Sequence, residues 1–268
     1  MRTRGGHDAG SVRGMTADGM VPGGRVQFLG IRFDRMTMPA ALDWLRARSA
    51  DTALAYVVTP NVDHMVRLEA APPALRAAYE KADLCLCDSR VLARLARLCG
   101  IDLPVVPGSD LVGALFARGL EVGDRVCLIG GSDEIAARIG ARFPDVTIVH
   151  HAPPMGLLHD AAARGRAIEA AAAARARAVL LAVGSPQQEL LAWEMRAAGS
   201  VRGTALCIGA GVDFLAGAQA RAPRIVQRAG FEWAWRLATS PRRLARRYLV
   251  DGPAIFPLVW RWRRAQRR

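Results

Sequence analysis

The chain has 268 residues, of which 51% are hydrophobic, and this is enough to bury one large core. Its formal net charge of +13 comes almost entirely from arginine, because Lys81 is the sole lysine, so we expect an acidic partner such as nucleic acid, an anionic lipid surface or a phosphorylated substrate. No run of about 18 uncharged apolar residues occurs, so the sequence predicts no bilayer-spanning segment.

The cysteines and the first residues indicate the compartment. Cys85, Cys127 and Cys207 lie inside apolar strand-like runs, which is typical of buried thiols in a reducing environment. The Cys85-x-Cys87 pair has no second pair at zinc-site spacing, so a metal site there is not favoured. Residues 1–24 have no apolar stretch of signal-peptide length, and we expect them to form a disordered leader of a cytoplasmic protein.

Short apolar runs alternate with helical segments along most of the chain. A strand pattern and an amphipathic helix come first, and six further strand-like runs are each followed by a segment rich in Ala, Leu and Arg; the two first elements span 26–33 and 38–50, and the six runs span 54–59, 84–87, 125–129, 146–150, 179–183 and 205–208. Apolar strands separated by helices indicate a parallel sheet covered on both faces. We therefore predict an α/β fold with a Rossmann-like, doubly wound, mainly parallel sheet.

Small and polar residues follow five of these predicted strands. In doubly wound folds the ligand lies outside the carboxyl ends of the strands, so these residues are candidates for a functional site. They are Thr59-Pro60-Asn61, Asp88-Ser89-Arg90, Gly130-Gly131-Ser132, the block from Gly184 to Glu189 that includes Gln188, and Gly209-Ala210-Gly211-Val212-Asp213.

Each candidate also has a structural alternative. Gly130 and Gly131 either form a turn before a serine-capped helix or present bare amides to a phosphate at a helix N-terminus. Asp88 either caps the next helix or acts in chemistry, and Thr59 and Asn61 pose the same choice.

Known nucleotide and metal signatures are incomplete. No Gly-Lys-Ser/Thr follows the glycine pair at 130–131, and the pair at 209 and 211 lacks the third glycine of a dinucleotide fingerprint, which weakens a nicotinamide-dependent oxidoreductase as an alternative. The histidines show no metal-ligand spacing and are interpreted as structural or surface residues; they are His64, His150, His151 and His159.

The C-terminal part of the chain is cationic and aromatic. Between Arg236 and Arg247 there are five arginines and no acid, and Arg236, Arg243 and Arg246 fall near one helical face. Aromatic and leucine side chains are interleaved with these arginines, as in a segment that lies at a membrane interface; they are Phe231, Trp233, Trp235, Leu237, Tyr248, Phe256, Trp260 and Trp262. The alternative is a solvated basic helix with aromatic residues in the core.

Five ordered blocks and the tail together resemble the WecG/TagA/CpsF family, which is glycosyltransferase family 26. The blocks are Thr59-Pro60-Asn61, Gly184-Ser-Pro-Gln-Gln188-Glu189, Gly209-x-Gly-x-Asp213-Phe-x-Ala-Gly217, Arg221-Ala-Pro223 and Gly230-Phe-Glu232-Trp233-x-x-Arg236-Leu, and the tail is Pro241-Arg-Arg243-Leu-x-Arg246-Arg-Tyr248. The resemblance implies a Rossmann-like core at 25–229 and, at 230–268, a C-terminal helical appendage that completes the site at the membrane.

The resemblance also implies a reaction. It is an inverting, metal-independent transfer of a sugar from a UDP donor to a sugar on a polyprenyl-diphosphate carrier, at the inner face of the bacterial membrane in cell-surface or exopolysaccharide synthesis. N-acetylmannosamine, its uronic acid, glucose and glucuronic acid all remain open as the sugar. The competing function class is a basic RNA-binding or RNA-modifying Rossmann protein, although the chain has no recognised RNA-binding module.

Roles for individual residues follow from the same resemblance. Asp88 corresponds to the proposed general base, and Thr59, Asn61 and Gln188 correspond to residues near the reacting sugars. The remaining assignments are to the nucleotide: Asp213 at its uracil end, the tail arginines Arg236, Arg243 and Arg246 at the diphosphates, and the glycines Gly130, Gly131, Gly184, Gly209 and Gly211 as UDP- or phosphate-binding turns.

Two positions depart from the family pattern. Ser89 stands where a glycine is usual, and we expect it to narrow the backbone conformations open to Asp88. Val105 stands where an arginine is usual, so the pocket is expected to lack one cation.

Overall fold

The structure is a computed structural model that describes residues 24–218, 232–239 and 251–267, together with the single positions 226, 242, 245 and 249. The prediction of a disordered leader at 1–24 therefore lies outside the described residues except for position 24. Among the residues that are described, no helix has both the length and the apolar character needed to cross a bilayer.

Six parallel strands form the central sheet. They are β3 (Ala55–Val58), β4 (Leu84–Cys85), β5 (Arg125–Gly130), β6 (Thr147–His151), β7 (Ala178–Ala182) and β8 (Thr204–Cys207), and their spatial order is β4-β3-β8-β7-β5-β6. Every neighbouring pair in this sheet is parallel. The chain runs to one edge with β3 and β4, crosses to the other edge with β5 and β6, and fills the middle with β7 and β8. The predicted Rossmann-like α/β fold is confirmed.

Helices cover both faces of the sheet. Helices α2 (Val62–Glu69), α3 (Pro73–Glu80), α4 (Arg90–Leu98), α7 (Ala161–Ala174) and α8 (Gln187–Ala198) bury side chains in one core. The other core takes side chains from α1 (Met38–Arg46), α5 (Gly108–Arg118), α6 (Asp133–Arg142) and α9 (Gly211–Leu215). Successive residues of a strand enter opposite cores, as Val57 and Val58 of β3 do, because strand side chains alternate between faces.

The first predicted strand is wrong in one respect. Residues 26–33 form two antiparallel strands, β1 (Arg25–Phe28) and β2 (Ile31–Asp34), and not one continuous strand. The turn between them consists of Leu29 and Gly30, with φ of 52° and 80°, and two consecutive positive φ values are what a tight two-residue hairpin requires.

The hairpin is attached to the sheet through Asp34. One carboxylate oxygen of Asp34 accepts a hydrogen bond from the Cys85 amide at 2.7 Å, and the other pairs with Arg25 at 2.8 Å. This contact fixes the hairpin beside β4, at one end of the sheet.

The cysteines behave as the sequence indicates. All five are free, and Cys85, Cys87, Cys127 and Cys207 are buried. Burial raises the pKa of the Cys87 and Cys127 thiols to about 12, so both are protonated and unreactive at neutral pH.

The C-terminal segment returns to the core. After the helix Glu232–Thr239 and the 3-10 turn Gly252–Ala254, the helix Ile255–Ala265, called the terminal helix below, buries Ile255, Leu258 and Val259 in the core that also contains α2. On the terminal helix, Trp262 packs edge-on against Phe28 of β1, with ring centroids 5.2 Å apart. Trp262 is therefore a packing residue, and its assignment to the interfacial set is wrong.

Candidate active site at the strand ends

Three elements meet at Thr59, directly after β3. Its side chain is 7% exposed, and its hydroxyl donates a hydrogen bond to the Cys207 carbonyl at the end of β8, with an oxygen–oxygen distance of 3.4 Å. A Cβ atom on Gly108, the first residue of α5, would lie 2.7 Å from the Thr59 hydroxyl oxygen. Thr59 therefore joins the ends of two neighbouring strands to the start of α5, and only glycine fits beside it.

Asp88 follows β4 and is held by its backbone. Its amide donates a hydrogen bond to the Pro60 carbonyl at 3.1 Å, which ties the ends of β3 and β4 together. The cap of α4 is the next residue, Ser89, whose hydroxyl oxygen accepts a hydrogen bond from the Leu92 amide at 3.2 Å. The half-buried Asp88 side chain is thus not needed as the N-cap, which was the structural alternative raised by the sequence.

The two departures from the family pattern both lie next to Asp88. Ser89 has φ of −147° and ψ of 120°, an extended conformation that any residue adopts, so serine occupies the position of the usual glycine without backbone strain. Val105 pairs with Cys87 in an isolated parallel bridge, and the Val106 amide donates to the Cys87 carbonyl at 2.8 Å. Val105, the position that lacks the usual arginine, is therefore paired with the residue that directly precedes Asp88, the candidate base.

Asn61 is the cap of α2. Its side-chain oxygen accepts hydrogen bonds from the amides of Asp63 and His64 at 3.1 and 3.4 Å, and the His64 ring nitrogen Nδ1 accepts from the Asn61 amide at 3.2 Å. This reciprocal capping box is the structural alternative proposed for Asn61, and it also gives His64 the structural role predicted for it. Arg67 of the same helix donates to the Ser185 carbonyl at 2.9 Å and connects α2 to the loop after β7.

Gln188 supports the glycine turn after β8. Its side chain is 3% exposed, and its Oε1 accepts a hydrogen bond from the Gly209 amide at 2.8 Å. A Cβ atom on Gly211 would lie 3.4 Å from Ser109 Cα, so the turn is also packed against the start of α5. Gln188 therefore contacts the turn and not open space, which makes its contribution to a site indirect.

The Gly130-Gly131 turn lies at the end of β5. Both residues have positive φ, 92° and 72°, and a Cβ atom on Gly130 would lie within 3.0 Å of Val183 Cγ1 and of the Ala182 carbonyl group. The serine after them caps α6, which is the structural alternative raised for this pair; Gly131 is exposed, whereas Gly130 is buried at the end of β5.

His150 holds this turn in place. Its Nε2 lies 3.1 Å from the Gly130 carbonyl oxygen, and its Nδ1 lies 3.0 Å from an Asp133 carboxylate oxygen. The sequence assigned His150 only a structural or surface role, and its position beside the candidate phosphate turn could not be read from the spacing of the histidines.

Of the remaining candidate site residues, the structure describes Gly184 and Asp213 but not the side chains of the three tail arginines. Gly184 has φ of 80° and open space around its Cα, and Asp213 lies in the first turn of α9. The side chains of Arg236, Arg243 and Arg246 lie outside the described residues, so their contacts with diphosphates stay predictions.

Glu189 ends the candidate block after β7, and no role of its own was predicted for it from the sequence. It is 1% exposed, its Oε1 accepts a hydrogen bond from Gln188 Nε2 at 2.8 Å, and its Oε2 has no hydrogen-bond partner within the described part of the chain. An acid in the first turn of a helix normally faces solvent near the positive end of the helix dipole. Nothing in the local sequence distinguishes Glu189 from that common case.

A separate cavity of about 610 Å³ lies between the end of α4 and the terminal helix, lined by Ile101, Trp262 and Arg263 among others. It is at the opposite end of α4 from Asp88, roughly 13 Å away for a nine-residue helix, so it is distinct from the strand-end site. In residues 24–218 and the other described segments, no group of three or more His, Cys, Asp and Glu side chains is arranged to hold a metal ion.

Comparison with protein-family models agrees with the motifs. The model described as "Glycosyl transferase WecG/TagA/CpsF family" matches residues 26–268, which is nearly the whole chain. The match covers every strand end described above and the C-terminal segment, and it confirms the resemblance that the motifs indicated.

Proposed function

Because the chain belongs to the WecG/TagA/CpsF family of glycosyltransferases, we propose that it transfers a sugar from a UDP donor to a sugar on a polyprenyl-diphosphate carrier, with inversion at the anomeric carbon. The observation that carries this proposal is that the residues after β3, β4 and β8 meet at one edge of the sheet: the Asp88 amide bonds to the Pro60 carbonyl, and the hydroxyl of the adjacent Thr59 bonds to Cys207 at the end of β8. The carboxyl edge of such a sheet is where doubly wound folds bind nucleotides.

The proposed chemistry needs a base and a means to stabilise the leaving group. Asp88 takes the proton from the acceptor hydroxyl while UDP leaves from the opposite face of the anomeric carbon. The amides of Gly130 and Gly131, at the N-terminus of α6, stabilise the negative charge that develops on the diphosphate.

Other candidates have supporting roles in the proposal. Arg236, Arg243 and Arg246 add positive charge at the diphosphates, so that transfer proceeds without a metal ion, and Asp213 binds the uracil end of the nucleotide. Thr59 and Asn61 hold the strand end on which the sugars lie, through the hydroxyl contact with β8 and the cap of α2.

We also propose that the protein binds the inner face of the cytoplasmic membrane through the outer face of its terminal helix. Phe256 and Trp260 are each 58% exposed on the face opposite to the buried one. The Arg264 guanidinium lies 4.4 Å from the Trp260 ring centroid, so a cation and an aromatic ring occupy the same surface. This pairing suits the headgroup region of an anionic leaflet, where each cation contributes roughly 1 kcal/mol.

Replacing both exposed rings tests the membrane proposal. The double variant Phe256→Ser/Trp260→Ser is expected to bind vesicles of phosphatidylglycerol and phosphatidylcholine about tenfold more weakly or worse, because each ring loses favourable burial in the interface. Vesicle flotation measures the bound fraction. Val122→Ser, which removes an exposed apolar side chain in the turn before β5, is the matched control. Equal flotation of the double variant and the wild type would contradict the proposal.

The transfer reaction is tested with defined substrates. We expect UDP to raise the melting temperature of the full chain, and one of four UDP-sugars to be transferred to a short-chain polyprenyl-diphosphate-linked acceptor; the sugars are N-acetylmannosamine, its uronic acid, glucose and glucuronic acid. Chromatography of the products measures transfer. A salt-sensitive shift with RNA and none with UDP would favour the RNA-binding alternative, and stabilisation by NAD alone would favour an oxidoreductase.

A further inference from the structure

Glu189 is a buried carboxyl group at the start of α8 that the proposed chemistry does not use. Its side chain is 1% exposed, and its Oε2 has no hydrogen-bond partner among the residues described. Burying an ionised carboxylate without a close cation is very unfavourable, so a group in this position needs a reason to be there and a way to avoid its charge.

The surroundings of Glu189 favour the uncharged acid. The Glu189 carboxyl interacts electrostatically with the buried Tyr79 and Cys207, and the Ser185 hydroxyl interacts with both Tyr79 and Glu189. The positive charge of Arg67 lowers the pKa of Glu189, but its guanidinium group is bonded to Asp63 and to the Ser185 carbonyl and makes no ion pair with Glu189 among the described contacts. Burial raises the pKa of the Glu189 carboxyl, and the opposing influences of the Gln188 amide, the Glu189 backbone amide, the Ser185 hydroxyl and Arg67 do not reverse that direction.

The contact with Gln188 determines how the Gln188 amide faces the site. Because Gln188 Nε2 donates to Glu189 Oε1 at 2.8 Å, the other amide atom, Oε1, is turned to the Gly209 amide, from which it accepts at 2.8 Å. Without an acceptor at Glu189 the amide can rotate, and its NH2 group would then oppose the Gly209 N–H, donor against donor. The chain of contacts therefore runs from Glu189 through Gln188 to the turn after β8.

We propose that Glu189 is a positioning residue that works in its uncharged form, fixing the Gln188 amide and, through it, the turn from Gly209 to Gly211. Its relevance to nucleotide binding rests on the proposed function, because that turn is assigned to UDP. Its effect on the turn itself does not depend on any ligand.

Two substitutions of Glu189 distinguish the effect of its hydrogen-bond acceptor from the effect of its side-chain volume. Glu189→Gln keeps a neutral acceptor of the same shape, so we expect amide hydrogen exchange at Gly209, followed by NMR, to stay slow and UDP affinity to stay within about threefold of wild type. Glu189→Met removes the acceptor and keeps much of the volume, so we expect faster exchange at Gly209 and UDP affinity about tenfold lower. Glu194→Gln, a change of the same type on the same helix and paired with Arg164, is the control.

The pH dependence of stability gives an independent measurement. Because the pKa of Glu189 is raised in the folded protein, the favourable contribution of the neutral acid is complete below the pKa of an unfolded glutamate and is lost as pH rises towards the folded value. The melting temperature of Glu189→Gln minus that of wild type should therefore increase with pH above about 4.3. Tyr79, Cys207 and Arg67 interact electrostatically with this position and are the same in both proteins, so their own titrations cancel in this difference.

Two results would overturn the proposal. One is that Glu189→Met keeps slow exchange at Gly209 and normal UDP affinity. The other is that Glu189→Gln shows the fast exchange at Gly209 and the roughly tenfold lower UDP affinity expected for Glu189→Met. If Glu189→Met does not fold, the Glu189→Gln exchange data and the pH comparison still decide. Wild type that shows no response to UDP would refute the proposed function, whereas exchange at Gly209 would still report on Glu189.

Discussion

Replacing Asp88 by asparagine is expected to lower kcat for sugar transfer by about 10²- to 10⁴-fold and to leave UDP affinity within about threefold of wild type. Asparagine has nearly the shape of aspartate but cannot take the proton from the acceptor hydroxyl. The fold should tolerate the change, because the backbone amide of Asp88 makes the contact with Pro60, and Ser89 caps α4. A large loss of rate with little change in binding is the pattern of a general base.

The measurement combines steady-state kinetics with UDP titration on the same preparation. Asp102→Asn is the matched control, because Asp102 lies in the loop after α4 and pairs with Arg35 across the protein surface, away from the strand ends. We expect the control to keep wild-type rate and affinity. A nearly normal rate in Asp88→Asn would exclude Asp88 as the base, and a selective loss of UDP affinity would make it a nucleotide ligand.

The strand ends were predictable because they depend on short-range pattern. Apolar runs separated by helices indicate a parallel sheet, and a parallel sheet brings the residues after each strand to one edge. The positions of Thr59, Asp88 and the Gly130-Gly131 turn follow from that rule alone. The limits of each strand were less certain. The hairpin was missed because Leu29, an apolar residue at positive φ, gives no turn signal, and Gly30 is a single glycine inside an apolar run.

Contacts between distant parts of the chain were not predictable. Gln188 and Gly209 are 21 positions apart, and their hydrogen bond exists only because β7 and β8 are neighbours in the sheet. The burial of Glu189 has the same origin, since Tyr79 and Cys207 come from other elements. Local pattern distinguishes a helix start from a loop, but it does not show which first-turn acid faces the core.

The role of Trp262 was available in the sequence and was misread. Ile255, Leu258, Val259 and Trp262 are spaced at i, i+3, i+4 and i+7, which is the buried face of an amphipathic helix. Grouping all aromatic residues of the segment by composition concealed this periodicity. The membrane proposal therefore depends on the other face, which carries Phe256, Trp260 and Arg264.

Replacing Gly130 by alanine is expected to lower the free energy of unfolding by about 2–5 kcal/mol. A Cβ atom there meets Val183 Cγ1 at 2.8 Å and the Ala182 carbonyl carbon at 2.9 Å, and φ of 92° is unfavourable for any residue with a side chain. Gly131→Ala has the same problem of φ, but its Cβ would make only ordinary contacts beyond 3.7 Å, so we expect a loss of about 1–2 kcal/mol.

Chemical denaturation followed by circular dichroism measures these differences, with Gly165→Ala as the control. Gly165 lies inside α7 with open space around its Cα, so alanine there should raise stability by about 0.5–1 kcal/mol. Equal losses for Gly130→Ala and Gly131→Ala would contradict the close approach of Gly130 to β7. Because Val183 must move to admit the methyl group, Gly130→Ala should also displace the amides proposed to hold the diphosphate and weaken UDP binding about tenfold or more. Intact UDP binding in a destabilised Gly130→Ala protein would instead separate the fold of this turn from the nucleotide site.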